Sequence, residues 1–245
     1  MSNFHLRDVS IGLAGDGFYY LTGTSTAVWS GSDGFVVIRM WRSSTPEGPF
    51  GGGGIVVYNI TTDCALCNAS EPQSCSAYPY GRVWAPEFHC LPGKAADVPD
   101  SGGYFITHNF HCPGGNSGVL ASATGLPYGP YRNLLWGAGG GDVSLFQDPA
   151  DGGVYTITSG GGGINANRLS TNMSVITSTS NLNRPCLSDC TNTSIGFEGP
   201  FLFFLNGTYF LSASAFGNAT NHGSASSPYA IWGANCSNCL YSTYT

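Results

Sequence analysis

The stretch Asp142-Val143-Ser144-Leu145-Phe146 and its continuation Gly152-Gly153-Val154-Tyr155-Thr156-Ile157 decide the fold, because their plan recurs along the chain. A carboxylate stands just before or inside an apolar run, a Gly-associated Tyr marks the start of a second strand, and alternating apolar residues carry that strand on. Period-two alternation is the pattern of a strand with one buried face. Upstream, the plan reads Asp8-Val9-Ser10-Ile11, then Asp16-Gly17-Phe18-Tyr19-Tyr20-Leu21-Thr22. It reads again as Trp84-Ala85-Pro86-Glu87-Phe88, then Gly102-Gly103-Tyr104-Phe105-Ile106-Thr107. Downstream it is Glu198-Gly199-Pro200-Phe201-Leu202, then Asn206-Gly207-Thr208-Tyr209-Phe210-Leu211.

Tyr104, Tyr155 and Tyr209 follow one another at steps of 51 and 54 residues. The longer step from Tyr19 holds the Gly51–Gly54 run and the Cys64–Cys75 stretch, which read as a surface insertion over about 51–81. A second mark, Ser44-Thr45-Pro46-Glu47-Gly48-Pro49-Phe50 and Gly125-Leu126-Pro127-Tyr128-Gly129-Pro130-Tyr131, reads as the close of the first and second units. Repeats of roughly 40–50 residues built from short strands predict the blades of a β-propeller, each a four-stranded sheet. A two-sheet sandwich is the alternative. In a propeller the innermost strand of every blade runs along a central channel, so Asp8, Glu87, Asp142 and Glu198 are expected to converge on one pocket. The expectation is a single all-β domain over 1–245 that stops in its fourth unit, short of the last blade.

Composition narrows the partners. Only 8 Lys and Arg residues are present against a net charge of −6, with no basic cluster, so phosphate-rich nucleic acid is excluded. No apolar run approaches the roughly 20 residues of a membrane helix. Charged residues are 9% of the chain and Gly numbers 36, which suits short strands and tight turns over helices. Seven Asn-x-Ser/Thr sequons, at Asn59, Asn68, Asn172, Asn192, Asn206, Asn218 and Asn235, accompany nine cysteines. Cys64, Cys67, Cys75, Cys186, Cys190, Cys236 and Cys239 lie in Gly/Ser/Asn-rich text where disulfides staple secreted surfaces. A secreted, extracellular glycoprotein is therefore expected, although Met1-Ser2-Asn3-Phe4-His5 lacks the apolar core of a signal peptide. The rival reading of Cys64-x-x-Cys67 and Cys236-x-x-Cys239 is a zinc site.

The four acid-bearing segments resemble those of glycoside hydrolase family 43, five-bladed β-propellers that remove arabinofuranose or xylose from plant polysaccharides. Arg7-Asp8-Val9-Ser10 resembles that family's Asp-Pro-Ser segment, whose Asp is the general base, and Trp84-Ala85-Pro86-Glu87 its Trp-Ala-Pro-acid segment. Asp142-Val143-Ser144-Leu145-Phe146 resembles the second Asp-Pro-Ser, whose Asp tunes and orients the acid. Phe197-Glu198-Gly199-Pro200 resembles the Glu-Gly-Pro segment that carries the general acid. Val9 and Val143 stand where the family has Pro, a change expected to loosen the backbone while keeping the carboxylate.

The resemblance implies an inverting glycosidase acting on arabinose- or xylose-containing polysaccharides or oligosaccharides, with Asp8 as base, Glu198 as acid and Asp142 as modulator. An inverting pair stands roughly 6.5–9.5 Å apart to admit water, and a further carboxylate nearby disfavours ionisation of the acid. Trp84 stacks on a sugar ring or packs in the core, and Glu87 lines the pocket or anchors its blade. The chemistry needs no cofactor, and calcium, where held, is structural. The partner implied is a plant-type glycan, met by a monomer. Two other readings stand beside it: a carbohydrate-binding propeller without turnover, and a fructan-cleaving retaining enzyme with its carboxylates roughly 5–5.5 Å apart. His89, His108, His111 and His222 lack metalloprotease spacing and read as surface or hydrogen-bonded residues. Gly139–Gly141 and Gly160–Gly163 lack a following Gly-Lys-Ser/Thr and read as turns.

Overall fold

The computed structural model describes residues 6–25, 37–60, 83–112, 115–160, 163–182, 196–216 and 230–236. The strands among them form four antiparallel sheets, divided between two compact units, Met1–Gly137 and Ala138–Thr245. In the first unit, β1 (Leu6–Leu13), β2 (Tyr19–Ser25), β3 (Val37–Ser43) and β4 (Ile55–Asn59) make one sheet in chain order. Its second sheet is β5 (Val83–Cys90), β6 (Tyr104–Cys112), β7 (Gly115–Ser122) and β8 (Tyr131–Trp136). The second unit holds β9 (Gly141–Gln147), β10 (Val154–Gly160), β11 (Gly163–Leu169) and β12 (Ile176–Asn181) in one sheet. β13 (Gly196–Leu205), β14 (Thr208–Phe216) and β15 (Ala230–Cys236) make the other.

The repeated plan maps onto the first hairpin of each sheet. The acids lie on the first strand, and Tyr19, Tyr104, Tyr155 and Tyr209 occupy one of the first two positions of the second. Local polar chemistry sets these hairpins. Asp16 closes the β1–β2 turn by accepting the Phe18 N–H at 3.1 Å and the Tyr20 hydroxyl at 2.8 Å. Asp148 closes the turn after β9 by accepting the Ala150 N–H at 2.9 Å and also accepts, from the neighbouring sheet, the Tyr209 hydroxyl at 2.7 Å. Burial first, and that bond to Asp148 second, push the Tyr209 phenol up to about 12.

Alternation then decides which face is buried. In the first unit Tyr20, Ile38, Tyr58, Phe88, Ile106 and Leu120 form a core between its two sheets. Gly12 lets β1 approach β5 closely, since a Cβ there would stand 2.6 Å from the Phe88 ring. In the second unit Phe146, Ile157, Ala166, Leu202, Tyr209 and Leu211 play the same part. The opposite faces stay open: Val9, Ile11 and Leu13 of β1, and Phe201, Phe203 and Leu205 of β13, are exposed.

The Gly-Pro-aromatic mark is not a unit close. Both copies lie inside a sheet, between β3 and β4 and between β7 and β8. The two turns open alike and differ in length: the Thr45 and Thr124 amides bond Ser43 Oγ and Ser122 Oγ at 3.2 and 3.3 Å. Thr45 Oγ1 and Thr124 Oγ1 donate to the Gly48 and Gly129 carbonyls at 2.7 and 3.1 Å. The connection from β11 to β12 uses a different turn, built on Ser170 and Asn172, so the mark is optional. The expected insertion over 51–81 is likewise corrected at its start. Gly51–Gly54 belongs to the β3–β4 connection and Ile55–Asn59 is the fourth strand of the sheet. The remainder, with Cys64, Cys67 and Cys75, lies outside the described residues, as do Cys186, Cys190 and Cys239. With them lie the expected disulfides and the rival zinc site. Cys90 on β5 carries a free thiol.

Candidate active site

The acids sit at or beside a kink that every sheet repeats. Where the first strand pairs with the second, two residues oppose one: Asp8 and Val9 face Gly23, and Ala85 and Pro86 face His108. Asp142 and Val143 face Thr158, and Gly199 and Pro200 face Ala213. Such a bulge bends the strand and re-aims side chains. The first residue of each pair is left-handed, with φ of 51° at Asp8, 43° at Ala85, 44° at Asp142 and 55° at Gly199. Gly adopts this freely and Asp tolerates it, whereas Ala85 carries roughly 1–2 kcal/mol of strain. The second slot holds Val9, Pro86, Val143 and Pro200, and the kink forms with either residue type. The bulge thus forms with valine in place of proline, and it keeps the carboxylate at Asp8 and Asp142.

This register corrects the alignment of the acids. Asp8 and Asp142 occupy the left-handed slot itself, and Glu198 stands one residue before it. Glu87 stands two residues after Ala85, which is the true counterpart of Asp8. Glu87 Oε2 meets His89 Nε2 at 3.3 Å, and the same nitrogen lies 3.4 Å from Thr107 Oγ1. His89 thus has a hydrogen-bonded role, legible only as an i, i+2 neighbour on one strand face.

In the second unit, Asp142 and Glu198 come together. The Gly199 N–H donates to Asp142 Oδ2 at 3.1 Å, so the Asp142 carboxylate is tied to the residue that follows Glu198. Glu198 is exposed and Asp142 partly so, which leaves the acid pair open to a ligand. In the first unit, Asp8 makes a parallel connection through one extra group. Thr24 Oγ1 donates to Asp8 Oδ2 at 2.9 Å and accepts the Ala85 N–H at 2.7 Å. In both units, then, a kink carboxylate is linked to the left-handed amide of the next sheet. Trp84, half-buried, immediately precedes that amide. Thr24 carries no sequence signal of its own.

His108, opposite the second kink, is not a surface residue. It is fully buried between the Tyr58 and Trp136 rings at 6.4 and 6.3 Å, and burial pushes its imidazole down to about 3. The His111 side chain and His222 lie outside what is described. Among the described residues no group of three His, Cys, Asp or Glu side chains is arranged to hold a metal ion.

No protein-family model matches the chain, and no curated protein matches its sequence. Solved structures do match its fold. An endo-arabinase of Bacteroides thetaiotaomicron superposes with a TM-score of 0.65 at 18% identity, over 98% of this chain and 78% of that one. A thermostable family-43 glycoside hydrolase gives 0.63 at 17%, over 96% of this chain and 70% of that one. An α-L-arabinofuranosidase of Lactobacillus brevis gives 0.62 at 16%, over 95% and 68%. The fold is accordingly the one these glycoside hydrolases share, a family-43 enzyme among them, and the likeness extends over nearly the whole chain.

Proposed function

We propose that the chain is an inverting glycoside hydrolase acting on arabinose- or xylose-containing polysaccharides or oligosaccharides. The observation that supports the reading is the Gly199 N–H bond to Asp142, which ties that carboxylate to the residue following Glu198. A nearby negative charge disfavours ionisation of an acid, which is what a group that must donate a proton near neutral pH requires. In this reading Glu198 is the acid that protonates the leaving glycosidic oxygen, Asp142 the carboxylate that orients it, and Asp8 the base that takes a proton from water. Trp84 offers an aromatic face to the sugar and Glu87, braced by His89, a hydrogen-bond acceptor. The solved structures of the same fold, named as an arabinase and an arabinofuranosidase, support the substrate class.

Secretion and N-glycosylation belong to the same proposal. Asn206 heads the exposed β13–β14 turn and Asn172 lies exposed between β11 and β12, both open to a glycan. The test of function is sugar release from aryl α-L-arabinofuranoside and aryl β-D-xyloside by the chain and by Glu198→Gln. Release that disappears in the variant supports the assignment, and an active Glu198→Gln protein refutes it. The anomer first formed, followed by NMR, separates inversion from the retaining alternative.

A further inference from the structure

We infer that Thr24 is a positioning residue for Asp8: its hydroxyl, oriented by the backbone N–H of Ala85, fixes the direction of the base carboxylate. The inference rests on the assignment of Asp8 as base and deepens it. Thr24 lies on β2, is 1% exposed, and touches both kinks of the first unit. A threonine hydroxyl has one hydrogen to give. The Ala85 N–H can only donate, so at 2.7 Å it occupies a lone pair of Oγ1 and leaves the hydroxyl as donor in its other contact. That contact is Asp8 Oδ2 at 2.9 Å, an ionised carboxylate being acceptor only. The direction of the whole chain, Ala85 N–H to Thr24 O–H to Asp8, is therefore set by the one group in it that cannot reverse.

The consequence for Asp8 is geometric. Its backbone sits in the left-handed slot of a bulge on β1, and its side chain is exposed. An exposed carboxylate without a fixed neighbour samples several rotamers, whereas a base must hold one oxygen toward its water. Thr24 engages Oδ2 and leaves Oδ1 for that work. The Ala85 amide sits at the kink of β5, so the neighbouring strand is what holds Thr24 in turn. Asp142, whose counterpart bond runs directly to the Gly199 N–H, needs no such relay.

The test compares Thr24→Val, Thr24→Ser and Asp8→Asn in the full chain. Thr24→Val keeps the shape and loses the donor, and is expected to lower kcat by roughly 10- to 100-fold with little change in KM, since loss of alignment falls on the chemical step. Thr24→Ser restores the hydroxyl and is expected to recover most of the rate. Asp8→Asn separates the two readings: an active Asp8→Asn enzyme removes the base assignment itself. An inactive Asp8→Asn enzyme beside a fully active Thr24→Val enzyme overturns only the positioning role. A crystal structure of Thr24→Val gives an answer independent of turnover. The proposal expects the Asp8 carboxylate to leave its position, and a carboxylate unmoved within coordinate error overturns it.

Discussion

The Gly199 amide and the Asp142 carboxylate, 57 residues apart in sequence, meet at 3.1 Å across neighbouring sheets, each at the left-handed position of its own strand. The contact separates two functions that one substitution series can resolve. Asp142→Asn keeps an oxygen that accepts the Gly199 N–H but removes the charge. It is expected to leave the unfolding free energy within about 0.5 kcal/mol of the parent while cutting kcat by roughly 100-fold. Asp142→Ala removes acceptor and charge together, and should lower both. Thermal melts alongside initial rates on the aryl arabinofuranoside check the pair; equal kcat losses without any difference in stability would show that the bond to Gly199 contributes nothing.

Ala85 is the one kink residue that lacks either the freedom of glycine or the short polar side chain of aspartate. Ala85→Gly relieves roughly 1–2 kcal/mol of left-handed strain and gives back about half of it to the more flexible unfolded chain. A net gain of roughly 0.5–1 kcal/mol is expected, read as a higher denaturant midpoint. A lower midpoint would mean that the alanine methyl is held by packing that outweighs the strain.

His108 ties the first unit's stability to pH. Its folded value of about 3 lies below the ordinary 6.5 of an unfolded histidine, so between these values the unfolded chain binds a proton that the folded chain does not. Its contribution is complete above pH 6.5 and declines as pH falls toward about 3. From pH 7 to pH 5 the loss is about 2 kcal/mol. His108→Gln should flatten that segment of the stability–pH curve, measured by urea denaturation at each pH. A slope equal to the parent's would assign the acid sensitivity elsewhere.

Tyr209 bonds the fully buried carboxylate of Asp148 at 2.7 Å. Tyr209→Phe takes away a donor from a desolvated carboxylate and is expected to cost about 1–3 kcal/mol. In the parent, the phenol's rise from 10 to about 12 means that folding stability falls as pH climbs through that window, because only the unfolded tyrosine ionises there. The variant should lose this alkaline component, which denaturation between neutral pH and pH 11 would reveal.

The strand plan was legible because alternation and turn chemistry are local. Tyr19, Tyr104, Tyr155 and Tyr209 marked second-strand starts, and the acids marked first strands. The register of the kinks was not legible. A left-handed residue announces itself in sequence when it is glycine, as at Gly199, but not when it is Asp8, Asp142 or Ala85. Glu87 was therefore aligned two residues away from the slot that Ala85 fills. Thr24 and His108 were hidden for a different reason. Their roles depend on the sheet packed beside them, and nothing within a few residues of either announces that neighbour. The Gly48-Pro49-Phe50 and Gly129-Pro130-Tyr131 marks were seen but misplaced, since a tight turn inside a sheet and one between sheets draw on the same residues.

The repeated kink also bears on how such a scaffold changes over time. Its hydrogen-bonding ladder is indifferent to whether the acid precedes the kink, as Glu198 does, sits on it, as Asp8 and Asp142 do, or follows it, as Glu87 does. Adjacent stations on a strand are about 3.3 Å apart and point to opposite faces. Exchanging Asp8 with Val9, or Asp142 with Val143, would put a β-branched residue into the left-handed slot, so the station of each acid is tied to the backbone of its kink. The difference between the two stereochemical outcomes of sugar cleavage is a few ångströms of carboxylate separation. A slot that prefers Gly or Asp limits which of those positions point changes alone can reach.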